Sequence, residues 1–354
     1  MNRVRWIGML GGIALIGALV LALDYLSGFI IFGGRTASDF NRPAQPPCNE
    51  WHHTYTFANH RQPGTETSIQ IPSCETTQKK RATSHFVTNQ HGLRIHYLTF
   101  VNQEDLPPST PIWFHVHGIT SSWLHGARYL GSARRLGFRL VLIELQNHGR
   151  SARHSRGASW GCQERWDVIA VLNQLEQTYP AAPILLAATS MGTIASTQAA
   201  ITSPATFAPV RAMVYESPVS LIDSLFSGVG QRLDLNDSTI NKAYKFLTTL
   251  SQLRTDVDFA KCAKRLRAKN RQVEIPTLLQ ISATEYELPA ERSFFDTYPF
   301  HSRVQVKVYK RGSHSAYWNY QPEEFEVDLE NFWQRHQTVP PAAKHELSTP
   351  AQGS

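Results

Sequence analysis

The sequence predicts an α/β fold, a mostly parallel central sheet with helices on both faces, and three observations carry that reading. Short, predominantly apolar runs, at residues 112–116, 139–145, 184–189, 212–215, 276–281 and 304–309, alternate with longer stretches of helical periodicity. Strands without polar alternation belong to parallel sheets buried on both sides. Two earlier runs, 84–88 and 93–100, flank Asn89-Gln90-His91-Gly92, a turn-rich tetrapeptide suited to a hairpin and hence to an antiparallel edge. Third, the apolar run beginning at Pro183-Ile184 stops at Ser190 between small residues and passes into a helix-compatible stretch, 194–201.

Taken in order, the chain opens with Met1-Asn2-Arg3-Val4-Arg5, and residues 6–23 then carry no charge. That length spans a bilayer core, so residues 1–33 are expected to be an uncleaved signal anchor. Val20-Leu21-Ala22 offers a passable site for the alternative, a cleaved leader. Basic residues ahead of the span favour an inside amino terminus and a periplasmic or extracytoplasmic domain. Residues 34–83 hold five prolines and no sustained period, and are expected to form an irregular stalk anchored by Trp51 and Phe57. Cys48 and Cys74 could staple it, whereas Cys162 and Cys262 could pair or stay reduced; four cysteines allow three pairings.

The domain proper is expected at 84–338. After the hairpin, Leu106-Pro107-Pro108 breaks the chain, and the strand 112–116 runs into His117-Gly118. A helix is expected over 123–136, closed by Gly137, and another over 164–179. Between about 218 and 271 the strand rhythm lapses into amphipathic helix, expected to form a cap over the carboxyl ends of the strands. The rhythm resumes at 276–281, with helices expected from Pro289 and over 323–334, and the polar residues 339–354 are expected to form a disordered tail.

The chemistry starts at Ala188-Thr189-Ser190-Met191-Gly192. A strand–turn–helix with small residues around a serine is the context of a nucleophile elbow, since strand and helix pass close together there. Taken alone such a match is common, and a helix-capping serine would produce it too. An acid and then a histidine must follow the nucleophile in that order. Gly312-Ser313-His314-Ser315 follows the last strand and makes His314 the base. The acid is placed at Glu285, in the loop after the strand 276–281, with Glu287 as a near alternative and Glu216 as a distant one. Its role is to fix the tautomer of His314. The backbone N–H groups of Met191 and Ile119 are the expected oxyanion donors.

These motifs resemble the α/β-hydrolases over about residues 84–336. His117-Gly118, the elbow and His314 carry the resemblance. So does Glu144-Leu145-Gln146-Asn147-His148-Gly149-Arg150-Ser151, in place of the family's D-x-R-G-x-G-x-S. Gly161-Cys162-Gln163-Glu164 with Asp167 is similar to bacterial membrane-anchored members related to serine aminopeptidases and monoacylglycerol lipases. Glu144, Asn147, Ala188 and a glutamate as the acid are departures. The resemblance implies a serine hydrolase, with an ester or lipid-like acyl substrate as the leading expectation. A peptidase is the enzymatic alternative, and a non-catalytic binding protein the other.

No cofactor and no metal are expected, because His115-x-His117 lacks a third ligand and Trp51-His52-His53 has no acid or thiol at ligand spacing. The net charge of +7 is spread rather than massed, which argues against a nucleic-acid partner. Arg150, Arg153, His154 and Arg156, near the expected site mouth, and Lys261, Lys264, Arg265, Arg267, Lys269 and Arg271, closing the cap, read as solvated surface, with anionic substrate or lipid as alternative partners.

Overall fold

The computed structural model describes residues 54–57, 67–70, 82–100, 106–119, 121–153, 157–219, 236–255, 257–267, 273–283, 303–310, 312, 314–315 and 317–338. The expected membrane anchor, Glu285, Glu287, Cys48, Cys74 and the tail lie outside the described residues. No helix among the described residues is long and apolar enough to cross a membrane.

Eight strands form one sheet in the order β10-β9-β8-β7-β5-β6-β4-β3. They are β3 (Ala82–Thr88), β4 (Arg94–Phe100), β5 (Ile112–Val116), β6 (Arg139–Glu144), β7 (Ile184–Thr189), β8 (Val210–Glu216), β9 (Thr277–Ser282) and β10 (Val304–Tyr309). From β6 to β10 every pairing is parallel, while β4 runs antiparallel to both β6 and β3. The early hairpin is therefore the antiparallel edge, and Gly92, at φ 75, makes its turn.

Because strand side chains alternate in direction, each central strand feeds two cores. Ile112, Phe114, Val116, Leu186, Ala188, Met213 and Tyr215 face one cluster, with α3 (Arg165–Thr178) and α4 (Met191–Thr202) over it. Trp113, Leu185, Ala187, Ala212 and Val214 face the other. That side is covered by α1 (Trp123–Ala127), α2 (Leu130–Arg135) and α8 (Pro322–His336). Each large apolar side chain buried this way contributes about 1.5–3 kcal/mol.

Three expectations are corrected. The single helix over 123–136 is two, α1 and α2, because Arg128 and Tyr129 turn inward and Tyr129 adopts φ −83°, ψ 0°. Within the stretch expected to be irregular stalk, β1 (Thr54–Phe57) and β2 (Thr67–Gln70) pair as an antiparallel ribbon. Alternation over four residues is too short to register as a period. The cap segment contains α5 (Asp237–Thr255) and α6 (Phe259–Leu266), but α6 is not merely a cover: Ala263 and Leu266 are buried in the α3–α4 core. Cys162, ahead of α3, and Cys262 on α6 form a disulfide with Cα atoms 5.9 Å apart. Val257 and Phe259 pack around it, and Gln198 on α4 donates to the Cys262 carbonyl at 2.9 Å.

Candidate active site

β7 delivers Ser190 at the carboxyl end of the sheet, one residue before α4 begins. The serine sits at φ 52°, ψ −124°, a region that costs a non-glycine residue about 1–3 kcal/mol. A helix-capping serine has extended backbone and donates no such strain; here the side chain makes no cap hydrogen bond. The turn is held from both sides. A Cβ on Gly192 would lie 2.4 Å from the Val116 carbonyl oxygen and 2.7 Å from that of His117. One on Gly118 would lie 2.9 Å from Ser190 Cβ. The elbow and the 117–119 loop are thus in contact through two glycines.

His314 Nε2 is 2.9 Å from Ser190 Oγ, so the sequence-predicted nucleophile and base meet across 124 residues of chain. Met191 is fully buried at the start of α4, and Ile119 packs half-buried against the core just beyond Gly118. Both expected oxyanion donors therefore sit on the two segments that touch Ser190. His117 braces the second: the Leu145 N–H donates to its Nε2 at 3.1 Å, which leaves Nδ1 as the donor to the Gly118 carbonyl at 2.7 Å. Burial first, then His148 beside it, holds its pKa well below the usual histidine value, in keeping with the neutral ring that this pattern needs.

The loop carrying His314 is fixed by Glu216 together with Arg128, Tyr129, Ser217 and His125, of which the sequence singled out only Glu216, and for a different role. Glu216, at the end of β8, accepts from Arg128 and from the Tyr129 hydroxyl on Oε2 and from the Tyr317 N–H on Oε1, the last at 2.9 Å. Arg128 Nη1 reaches the Ser315 carbonyl at 2.7 Å, and His125 Nε2 shares that carbonyl at 3.1 Å. Ser217 Oγ accepts from the Ser315 N–H at 2.7 Å and donates to the Tyr317 hydroxyl at 2.7 Å. Ser217 and Ser315 both hold positive φ, at 47° and 62°. Arg128 shares its stretch with His125, Arg134 and Arg135, so nothing local in the sequence marks it as the partner of a carboxylate at a strand end. Glu216, the distant alternative for the acid, thus makes its hydrogen bonds to Arg128, Tyr129 and the Tyr317 N–H in this loop.

The departures from the family pattern have local reasons. Asn147 occupies a left-handed position, φ 65°, which asparagine tolerates among non-glycine residues, and its amide donates to the Gly157 carbonyl at 2.9 Å. Glu144 accepts from the Arg150 N–H at 2.6 Å and from His96 Nδ1 at 2.8 Å, while Gly149 lies too close to its carboxylate for any Cβ. Glu164 is fully buried and takes the N–H groups of Ser159 and Gly161, organising the turn around the disulfide. Asp167 accepts from Asn89 Nδ2 and the Gln146 N–H, and burial raises its pKa well above the usual carboxylate value.

Arg150 does not line the elbow. Its guanidinium reaches Ser84 on β3, at the far edge of the sheet. On α6, Arg265 donates to Gln198 rather than standing free, and Lys261 and Lys264 are exposed. Among the described residues no group of three or more His, Cys, Asp or Glu could hold a metal ion.

A family model described as "Alpha/beta hydrolase family" matches residues 114–328, more than half of the chain. Solved structures with the same fold include mouse alpha/beta hydrolase domain-containing protein 10, at 17% identity and TM-score 0.53, covering 72% of this chain and 99% of that one. An esterase of Pyrococcus furiosus, Pf2001, aligns at 19% identity and TM-score 0.50, covering 73% and 92%. Proline iminopeptidase of Mycobacterium smegmatis aligns at 16% identity and TM-score 0.50, covering 72% and 99%. No curated protein sequence matches the chain.

Proposed function

The chain belongs to the alpha/beta hydrolase family, and on that premise we propose that it is a serine hydrolase that cleaves a carboxylic ester through an acyl-enzyme. The observation that carries this reading is the 2.9 Å contact between His314 Nε2 and the strained, elbow-borne Ser190. Ser190 Oγ attacks the ester carbonyl while its proton passes to His314 Nε2. The N–H groups of Met191 and Ile119 receive the developing oxyanion, and Glu285 orients the imidazole. The leaving alcohol takes the proton from His314. Water, deprotonated by the same ring, then releases the acid and restores the serine.

Ester over amide is favoured by the bilayer-length run at 6–23, which would hold the domain where lipid-like acyl groups are abundant. The buried Cys162–Cys262 disulfide supports an oxidising, extracytoplasmic location. Labelling with a fluorophosphonate probe tests the core of the proposal: wild-type protein is expected to label and Ser190→Ala is not expected to label at the elbow. Folded protein with no Ser190-dependent adduct would overturn it. Parallel assays on 4-nitrophenyl esters and aminoacyl-4-nitroanilides separate the esterase reading from the peptidase one. An alkaline phosphatase fusion after residue 40 tests the topology, with an inactive fusion counting against it.

A further inference from the structure

A second serine–histidine–glutamate chain stands outside the elbow. Ser84 Oγ on β3 is 2.8 Å from His96 Nε2 on β4, and His96 Nδ1 is 2.8 Å from Glu144 Oε2 at the end of β6. The order of protons is set by the chemistry. A carboxylate accepts, so Nδ1 carries the hydrogen, and in the neutral ring Nε2 is then the acceptor to which the Ser84 hydroxyl donates. His96 and Glu144 are 0% and 1% exposed, whereas Ser84 lies open on the edge strand. A buried base and acid behind an exposed hydroxyl is the arrangement that activates a serine.

Two further groups complete the surroundings. Arg150 Nη1 is 3.1 Å from Ser84 Oγ, and a cation there favours the alkoxide form. The guanidiniums of Arg94 and Arg150 also lie 3.6 and 5.5 Å from the centre of the Phe86 ring, giving this face two positive charges. The edge itself contributes backbone donors. Asn89 N–H bonds to the Leu93 carbonyl, which sets the alternation along β3. Ser84 and Phe86 therefore turn their N–H groups away from β4, toward the side of β3 on which no strand pairs among the described residues. The same chain gives Glu144 its reason for replacing the family's aspartate, because the carboxylate reaches His96 while still accepting from the Arg150 N–H.

We propose that Ser84 is a second reactive serine, with His96 as its base and Glu144 as the orienting acid, and that it accepts acyl groups from small activated esters bearing an acidic group. Ser84 Oγ forms a bond to the ester carbonyl carbon as its proton moves to His96 Nε2. The carbonyl–oxygen bond to the leaving alcohol breaks, and that alcohol takes the proton from His96. The product is an O-acyl serine at position 84. Arg94 and Arg150 hold the acidic group of the donor.

The test uses the full chain carrying Ser190→Ala, so that it is independent of the elbow. The protein is treated with mono-4-nitrophenyl succinate and, for comparison, 4-nitrophenyl acetate, and adducts are mapped by peptide mass. Succinylation of Ser84 is expected, absent in Ser190→Ala/Ser84→Ala, faster than acetylation, and slowed at least tenfold by His96→Gln. His96 is buried, so if that variant does not fold, the exposed Arg150→Ala decides, with the same slowing expected for the succinyl donor. No adduct at Ser84, or an adduct whose rate neither variant changes, overturns the proposal. Failure of Ser190 to label in the wild-type protein would leave this outcome untouched.

Discussion

Replacing Arg128 with methionine removes the cation that holds the loop carrying His314, the general base of our proposal, and the structure sets the size of the effect. Arg128 and Glu216 are 2% and 3% exposed at their side chains, so the substitution leaves a carboxylate buried without its counter-charge. Breaking one partner of such a pair costs about 3–5 kcal/mol. For a domain of this size that corresponds to a fall in Tm of roughly 6–20 °C. The Ser315 carbonyl, one residue after His314, also loses its 2.7 Å donor. Misplacement of a catalytic group by about 1 Å can cost on the order of a hundredfold in rate. In an ester assay the loss should appear in kcat with KM little changed, and the acidic limb of the pH profile should move. Arg128→Met/Glu216→Gln keeps an acceptor for the Tyr317 N–H and removes the unpaired charge, so it should recover much of the stability and little of the rate. A single mutant within about 1 kcal/mol of wild type by denaturant unfolding, with unchanged kcat, refutes the reasoning.

Three other substitutions and one change of condition test further parts of the structure. Gly192→Ala should abolish probe labelling, because its Cβ would meet the Val116 and His117 carbonyls at 2.4 and 2.7 Å. Gly137→Ala, with φ +74° but open space around it, should cost only about 1 kcal/mol and keep full labelling. Acid should destabilise the fold through its buried histidines. Burial, then Arg128, lowers His115 to about 3, and burial lowers His117 and His125 in the same direction. The unfolded chain therefore binds more protons below pH ~6.5, and stability falls from there toward pH 3, by about 2 kcal/mol at pH 5 from His115 alone. Asp167, raised by burial, acts in the opposite sense, and urea midpoints between pH 8 and 5 give the sum. Cys162→Ala/Cys262→Ala should lower stability by about 2–4 kcal/mol, and a reductant should lower the wild-type midpoint but not that of the double variant.

Most of the sheet was legible because predominantly apolar or β-branched runs of four to seven residues, bounded by breakers, leave little freedom in assignment. Strands 112–116 and 304–309 fall where the residues place them. Ser190 and His314 were legible for another reason, since each occupies a loop whose position in chain order is set by the fold. The break between α1 and α2 was not, because nothing in the local periodicity announces it. It exists to aim Arg128 and Tyr129 at a carboxylate 88 and 87 residues away. Likewise α6 has the polar composition of a cover helix, and only its Cys262 disulfide and buried Leu266 draw it into the core. Long-range polar pairing of this kind leaves no short-range pattern.

The same reasoning bears on the acid of the triad. A triad acid stabilises the imidazolium through its negative charge, so its field must not already be cancelled. Glu216 is poorly suited by that measure: its carboxylate pairs with Arg128 and also accepts from the Tyr129 hydroxyl and the Tyr317 N–H. Its charge holds the base loop in place. Our proposal accordingly keeps Glu285 as the acid. The two glutamates should then respond differently to the same chemical change. Glu285→Gln is expected to lower kcat on an ester by several orders of magnitude, with a denaturation midpoint close to wild type. Glu216→Gln should lose several kcal/mol of stability by leaving Arg128 buried and unpaired, and lose rate only in proportion to the disorder of the loop. If Glu216→Gln instead keeps its stability and loses the activity, while Glu285→Gln keeps both, the acid is Glu216 and its pairing with Arg128 must loosen when substrate binds.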